Sequence, residues 1–254
     1  MFRYAAVTAL CAVTVSGASA ALYGVASFSN FGVQSLYAID PGTGLATHIG
    51  ATGLRRIGGL DWDEMNNRLV ALTVDGDQFA IDTATGAPTL IADGSFGVPE
   101  GSIAFRQGAA YTTIFDHLHI WEGSAWRQIG PSGLAAGADL SGLDFGGGAM
   151  LGLATFGADP DLLVSYDVST GAATPIGPTG TNAETVGGLA FDIRAQAWYM
   201  TDGSSLFRLN PSLGVASVIG SHGLSGFSAL AYVPSPGVVS FLCVAGVLIT
   251  RRRR

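Results

Sequence analysis

Ser35-Leu-Tyr-Ala-Ile-Asp40 runs into Pro41-Gly-Thr-Gly44 and then into Ala46-Thr-His-Ile-Gly50. The stretch reads as a short apolar strand, an Asp-x-x-x-Gly turn and a second strand ending in Ile-Gly. It recurs. Gln78-Phe-Ala-Ile-Asp82 leads through Thr83-Ala-Thr-Gly86 to Pro88-Thr-Leu-Ile91. Val164-Ser-Tyr-Asp167 leads through Val168-Ser-Thr-Gly171 to Thr174-Pro-Ile-Gly177, and Ser205-Leu-Phe-Arg-Leu-Asn210 through Pro211-Ser-Leu-Gly214 to Ser217-Val-Ile-Gly220. A degenerate copy spans His117-Leu-His-Ile120 to Arg127-Gln-Ile-Gly130. The anchoring Ile falls at 49, 91, 129, 176 and 219, at spacings of 42, 38, 47 and 43. Asp or Asn opens a type I turn and Gly supplies positive φ at its end, which explains the spacing inside each copy.

Between the copies lies a second recurring piece: Gly59-Leu-Asp-Trp62, Ser102-Ile-Ala-Phe105, Gly142-Leu-Asp-Phe145, Gly188-Leu-Ala-Phe191 and Ala229-Leu-Ala-Tyr232. A third follows it, as Arg68-Leu-Val-Ala-Leu72, Ala110-Tyr-Thr112, Met150-Leu-Gly-Leu153 and Trp198-Tyr-Met-Thr201. Each unit therefore carries four short β-type segments separated by turns. Four strands in about 40 to 45 residues make one blade of a β-propeller. The expected order puts Gly-Leu-x-Phe innermost and the Ile-Gly strand outermost, with Ala104, Ala190 and Ala231 leaving room near the axis. A solenoid coil of this length is unusual, and a sandwich has no reason to repeat.

The sequence also predicts how the ring closes. The last unit stops after its innermost strand, Ser228 to Val233, while the chain begins at Ala21-Leu-Tyr-Gly-Val25 with a second-type strand that lacks a first. One C-terminal strand and three N-terminal strands complete a fifth blade, and no free sheet edge is left at the seam. The other four blades are expected at about residues 58–92, 101–130, 141–177 and 187–220. The repeat resembles propeller repeats of the YVTN and NHL kind over nearly all of residues 22 to 233. The resemblance implies an all-β, five-bladed propeller with four-stranded blades.

The two ends read as address labels. Arg3 precedes an uncharged apolar run from Ala5 to Val15, and Ala18-Ser19-Ala20 offers a small-x-small cleavage pattern. Residues 1–20 are thus expected to be a signal peptide, cut by signal peptidase after Ala20 with Ala18 and Ala20 as its recognition residues. Cys11 sits inside the apolar run after Leu10, which argues against a lipoprotein. At the other end Val233-Pro234-Ser235-Pro236 is followed by an uncharged run from Val238 to Thr250 and by Arg251, Arg252, Arg253 and Arg254. This layout resembles the PEP-CTERM sorting signals read by exosortases. The resemblance implies an exosortase-like processing enzyme as partner and a tail, 234–254, held at the membrane. The family usually has Glu where Ser235 stands. Helices are expected to flank the propeller in both labels, and the protein is expected at the cell envelope, the cell surface or beyond.

Both cysteines, Cys11 and Cys243, lie outside residues 21–233, so the expected mature domain has no disulfide and no thiol chemistry. All nineteen acidic residues lie inside it against seven arginines, a balance of −12 with no lysine. Such a surface repels nucleic acid and anionic lipid.

The sequence holds no phosphate loop, zinc-protease helix or nucleophile elbow. His117 and His119 alternate along one strand beside Asp116, which suits either a metal site or an ordinary polar face. His48 and His222 have no spaced partner. Asp61 and Asp144 stand on innermost strands where the other units have Ala. They are expected to be buried, either lining the axis as ligands for a cation such as calcium or accepting hydrogen bonds from the neighbouring blade. Asp63 and Asp192 read as turn residues. The connections between blades, 50–58, 92–101, 130–141, 177–187 and 220–226, are the longest. They carry Arg55, Arg56, Glu100, Asp139, Asn182 and Glu184, and long loops on a rigid scaffold usually carry binding. The expected function is a non-enzymatic binding or structural module for a glycan or protein ligand, with no catalytic residue and no cofactor beyond that cation. The alternative is an extracellular polymer hydrolase or lyase, favoured if Asp61 and Asp144 share a solvated pocket with a histidine or arginine.

Overall fold

The computed structural model describes residues 21–26, 32–94, 97, 101–135, 138–156, 159–181 and 187–235. The expected signal peptide, the expected tail from Pro236 and the helices expected in them lie outside the described residues, as do Glu100, Asn182 and Glu184.

The described chain is twenty strands in five antiparallel sheets of four, the five blades of a propeller. Blade 1 is β4 (Ile57–Asp63), β5 (Arg68–Thr73), β6 (Gln78–Ile81) and β7 (Pro88–Ala92). Blade 2 is β8 (Ala104–Arg106), β9 (Ala109–Ile114), β10 (His117–Trp121) and β11 (Trp126–Pro131). Blade 3 is β12 (Asp139–Gly146), β13 (Ala149–Phe156), β14 (Asp159–Tyr166) and β15 (Ala173–Pro178). Blade 4 is β16 (Leu189–Asp192), β17 (Ala197–Thr201), β18 (Ser205–Leu209) and β19 (Ala216–Ser221). Blade 5 closes the ring in the order β20 (Phe227–Val233), β1 (Ala21–Ala26), β2 (Val33–Ile39) and β3 (Ala46–Arg55). Across the seam Ala21 pairs with Val233 and Leu22 with Tyr232, as the two incomplete units predict.

The core is distributed between the blades. Leu22, Tyr37, Leu206, Phe227 and Leu230 fill one such layer, from blades 4 and 5, and Val25, Leu36, Leu60, Leu69 and Ile81 fill the next, from blades 5 and 1. Each sheet thus buries both faces against its neighbours, and the inner strands read as continuous apolar runs. The innermost strands come together near the axis. A Cβ on Gly59 would stand 2.6 Å from the Ile103 nitrogen, and one on Gly188 2.5 Å from the Leu230 nitrogen, so only glycine lets these backbones meet.

At the outer edge the Ile-Gly strand of one blade touches the Asp-x-x-x-Gly turn of the next. Gly177 lies against Leu213 and Gly214, Gly130 against Thr170 and Gly171, Gly50 against Thr85 and Gly86, and Gly220 against Thr43 and Gly44. The turn glycine therefore serves two ends, positive φ and close approach. Backbone bonds lock three of these joints: Ala46, Ala173 and Ala216 donate to the carbonyls of His222, Ser132 and Thr179. The corresponding residue of blade 1 is Pro88, which has no N–H to donate. Blade 2 has the degenerate turn and blade 1 has Ala92 in place of the Gly. Here a tryptophan substitutes: Trp126 is buried against Val70 and Leu72 and stacks edge-on to Trp121 at 5.2 Å.

One sequence expectation needs correction. The connection 50–58 is hardly a loop, because β3 runs to Arg55 and β4 begins at Ile57. Asp63, read as a turn residue, does take that role, accepting from the Asn66 backbone N–H at 3.2 Å, and it is also buried at the end of β4, where it accepts from Arg68 Nε at 3.0 Å. A carboxylate that short can satisfy a tight turn and an arginine together.

Gly177→Ala drives a methyl into the Leu213 carbonyl, a backbone atom that cannot swing aside. Gly180→Ala places its methyl in open space and incurs only the cost of its positive φ. In urea unfolding, Gly177→Ala is expected to lose about 2–3 kcal/mol or more, against about 1 kcal/mol for Gly180→Ala. Equal losses would show that the close approach does not hold the joint.

Candidate functional site

Five inner strands run in the same direction along the axis and end at one mouth of the ring. Their fourth motif residue is aromatic in every blade: Trp62, Phe105, Phe145, Phe191 and Tyr232. With the short turns that follow, these residues wall a cavity of about 500 Å³. Glu64 and Arg106 stand exposed at its rim, and the Gly146-Gly-Gly148 hairpin also lines it. The Arg106 guanidinium lies over the Phe145 ring, 5.4 Å from its centre. Farther along the axis, at Leu60, Ile103, Leu143, Leu189 and Leu230, the cavity shrinks to about 10 Å³. The pocket is a closed-ended cup.

Asp61 and Asp144 both line it, 5% and 7% exposed. Each reaches into the next blade: Phe105 N donates to Asp61 Oδ2 at 2.6 Å, and Phe191 N to Asp144 Oδ2 at 2.6 Å. Phe145 N donates to Asp144 Oδ1 at 2.5 Å. The two carboxyls clamp blade 1 to blade 2 and blade 3 to blade 4, the hydrogen-bonding role expected of them. They also share one pocket with an arginine, the condition that favours the hydrolytic alternative. Burial holds Asp61 well above the usual carboxylate range, with the Asp144 charge adding to the shift. Burial likewise pushes Asp144 up to about 7.

As a calcium site the pair is poorly furnished. Calcium takes six to eight oxygens, and Asp61 and Asp144 each have an oxygen bonded to a backbone N–H. Among the described residues no three His, Cys, Asp or Glu side chains gather as a metal-ligand set. His117 and His119 do share a strand, their rings 6.4 Å apart, and His117 Nδ1 pairs with Asp116 at 2.5 Å.

The cup opens on the face opposite the inter-blade connections where binding is expected. Arg55 and Arg56 lie exposed on that other face, and Arg56 pairs with Asp75 at 4.0 Å. His222 is a residue the sequence left without a role. Fully buried between blades 4 and 5, it donates through Nδ1 to the Gly44 carbonyl at 2.8 Å and faces Thr201 Oγ1 at 2.9 Å through Nε2. Burial lowers its pKa. The signal was present: Ile-Gly is followed two residues on by Thr52, Ser132, Thr179 or His222, each buried.

No family model matches the sequence, and no curated protein matches it. Solved structures match in shape. A chain from the crystal structure of a nidogen/laminin complex superposes with a TM-score of 0.57 at 12% identity, over 85% of this chain and 98% of that one. A structural-genomics protein of unknown function from Bacteroides thetaiotaomicron VPI-5482 gives 0.55 at 12% identity, over 84% of this chain and 64% of that one, so this chain spans less than two thirds of its length. At such identity the likeness concerns the β-propeller fold alone.

The raised carboxyls set the sign of the pH response. Their folded pKa lies above the unfolded one, so their contribution is full below the unfolded value and is lost as pH rises through about 7. His119 and His222, with lowered pKa, act oppositely and only below the ordinary histidine value. The carboxyls are therefore expected to lower the melting temperature progressively from about pH 4.5 to about pH 7 and to add no further slope well above that. Asp144→Asn, which cannot ionise, flattens that slope. Parallel slopes for the two proteins would show that the carboxyl is not held high.

Proposed function

We propose that this chain is an exported, envelope-associated propeller that works as a non-enzymatic binding module and takes a glycan in its axial cup. One observation carries the reading: a closed-ended cavity of about 500 Å³ with an aromatic side chain from every blade and two buried carboxyls at its wall. A sugar ring has an apolar face for the aromatic rings and hydroxyls for the carboxyls. Near neutral pH a carboxyl held at about 7 is partly protonated, so it can both donate to and accept from a hydroxyl. Pockets of this size lined mainly by aromatic groups, with few polar ones, are typical of small-ligand sites.

Export rests on the sequence of residues 1–20 and 234–254, with signal peptidase and an exosortase-like enzyme as the processing partners. The acidic balance of the mature ring disfavours nucleic acid as a ligand.

A second reading, a polymer hydrolase or lyase, draws on the same pocket, because paired carboxyls beside an arginine can act as acid and base. The two are separated by turnover. Oligosaccharides titrated against the protein are expected to quench tryptophan fluorescence without being cleaved. Trp62→Ala is expected to weaken binding by about 1–2 kcal/mol or more, the worth of a lost stacking face. Release of shorter fragments by the wild type, abolished in Asp144→Asn, would establish the second reading. No response to any glycan, with a thermal shift in calcium that Asp61→Asn removes, would replace both with a cation site.

A further inference from the structure

The axial cup has one way out. Its far end closes among the innermost leucines and Ile103, so whatever enters leaves through the same mouth. Beside that mouth a second cavity, of about 410 Å³, lies between blades 4 and 5. The β16–β17 turn is the partition: Ile193 and Gln196 line the cup, while Asp192, Arg194 and Ala195 line the groove. Tyr232 lines both. Its hydroxyl bonds to the Asp192 carboxylate, whose Oδ1 also accepts from the backbone N–H groups of Arg194 at 2.8 Å and Ala195 at 3.0 Å. Burial pushes the Tyr232 phenol up to about 12, so the sill between the two cavities is a neutral aromatic ring held in place. Tyr199 and Leu22 form the buried wall of the groove, and Pro41, in the turn between the outer strands of blade 5, lines it farther from the axis.

We propose that the protein binds the end of a glycan chain, with the terminal sugar in the axial cup and the following residues in the groove between blades 4 and 5. The inference rests on the reading of the cup as a glycan site. A sugar from the middle of a chain has a neighbour on each side, and a closed-ended cup has to pass both through one mouth. A terminal sugar has a single neighbour. From the cup that neighbour crosses Tyr232 and enters a groove furnished in the same way, with tyrosine rings for apolar sugar faces and a guanidinium for hydroxyls. Arg194 commits only Nη2 to the Ser235 carbonyl and hydroxyl. Its exposed guanidinium carries five N–H donors in a fixed fork, so others remain for a ligand. A pocket of about 350 Å³ on the other side of the same turn is the rival path, but it shares only Gln196 with the cup and is lined by blade 4 alone.

The test titrates the protein by calorimetry with the monosaccharide, the trisaccharide and long soluble chains of β-glucan, chitin, mannan and polygalacturonate. For the sugar that binds, the trisaccharide is expected to bind about three- to tenfold more tightly than the monosaccharide, as one further stacking face implies. A long chain is expected to take up a single copy of the protein whatever its length. Ala195→Trp fills the groove and is expected to remove the gain of the trisaccharide, whereas Ser217→Trp, which fills the rival pocket, keeps it. Trp62→Ala, in the cup, weakens monosaccharide and trisaccharide alike. Equal affinity for the two would overturn the groove while leaving the cup as a glycan site. Copies bound in proportion to chain length would overturn end recognition, again with the glycan reading intact. Loss of the gain in Ser217→Trp but not in Ala195→Trp would overturn the groove in favour of the rival pocket. No binding of any of these sugars would overturn the glycan reading and this inference together.

Discussion

Backbone touching backbone between blades is the constraint on which the structure depends. A propeller blade is a four-stranded sheet with two apolar faces, and it is stable only when both are covered. Covering them at the rim brings the outermost strand of one blade against the turn of the next. At Gly177 and Gly214 the two chains are so close that a methyl on either overlaps a carbonyl of the other. The joint also carries the Ala216 to Thr179 hydrogen bond, which needs the same approach. A repeat that looks like turn chemistry is therefore also contact chemistry. The exception supports the account: between blades 1 and 2, where the glycine pair is missing, Trp126 fills the gap and spans to the neighbouring sheet.

The same crowding creates the cup. Near the axis small residues let five strands converge, and the aromatic residue one step beyond each Ala or Asp marks where they diverge again. Below that level the channel is closed by branched side chains, and above it the rings stand apart around a cavity. Asp61 and Asp144 occupy the level between. They replace alanine at two alternate joints, bind the next blade's backbone, and turn an apolar floor into one that can exchange hydrogen bonds. Their raised pKa is the physical consequence of being placed there, since burial favours the neutral acid over the carboxylate.

Much of the fold was legible because each unit repeats its pattern. Strand order, blade number and the seam between Leu22 and Tyr232 all follow from matching incomplete units at the two ends. Asp61 and Asp144 were legible for the same reason, as departures from Ala at an aligned position. The site was less so. Arg106 ends its strand and Glu64 follows one, neither with a repeated counterpart, and only the three-dimensional ring brings them to one rim. Connection length pointed to the other face, and one of those connections, 50–58, is mostly strand, with β3 running to Arg55 and β4 beginning at Ile57. His222 was overlooked because its partners, Gly44 and Thr201, are distant in sequence and meet it only through the closed ring.

The account stands or falls on which mouth of the ring takes the ligand. Amide and indole shifts of isotope-labelled chain 21–235, followed while a mixture of short oligosaccharides is added, map that directly. The shifts are predicted to cluster at Trp62, Phe105, Arg106, Asp144 and Phe191, with the segment around Ser132 to Leu134 unmoved. Shifts confined to that opposite segment and to Arg55 and Arg56 would contradict it.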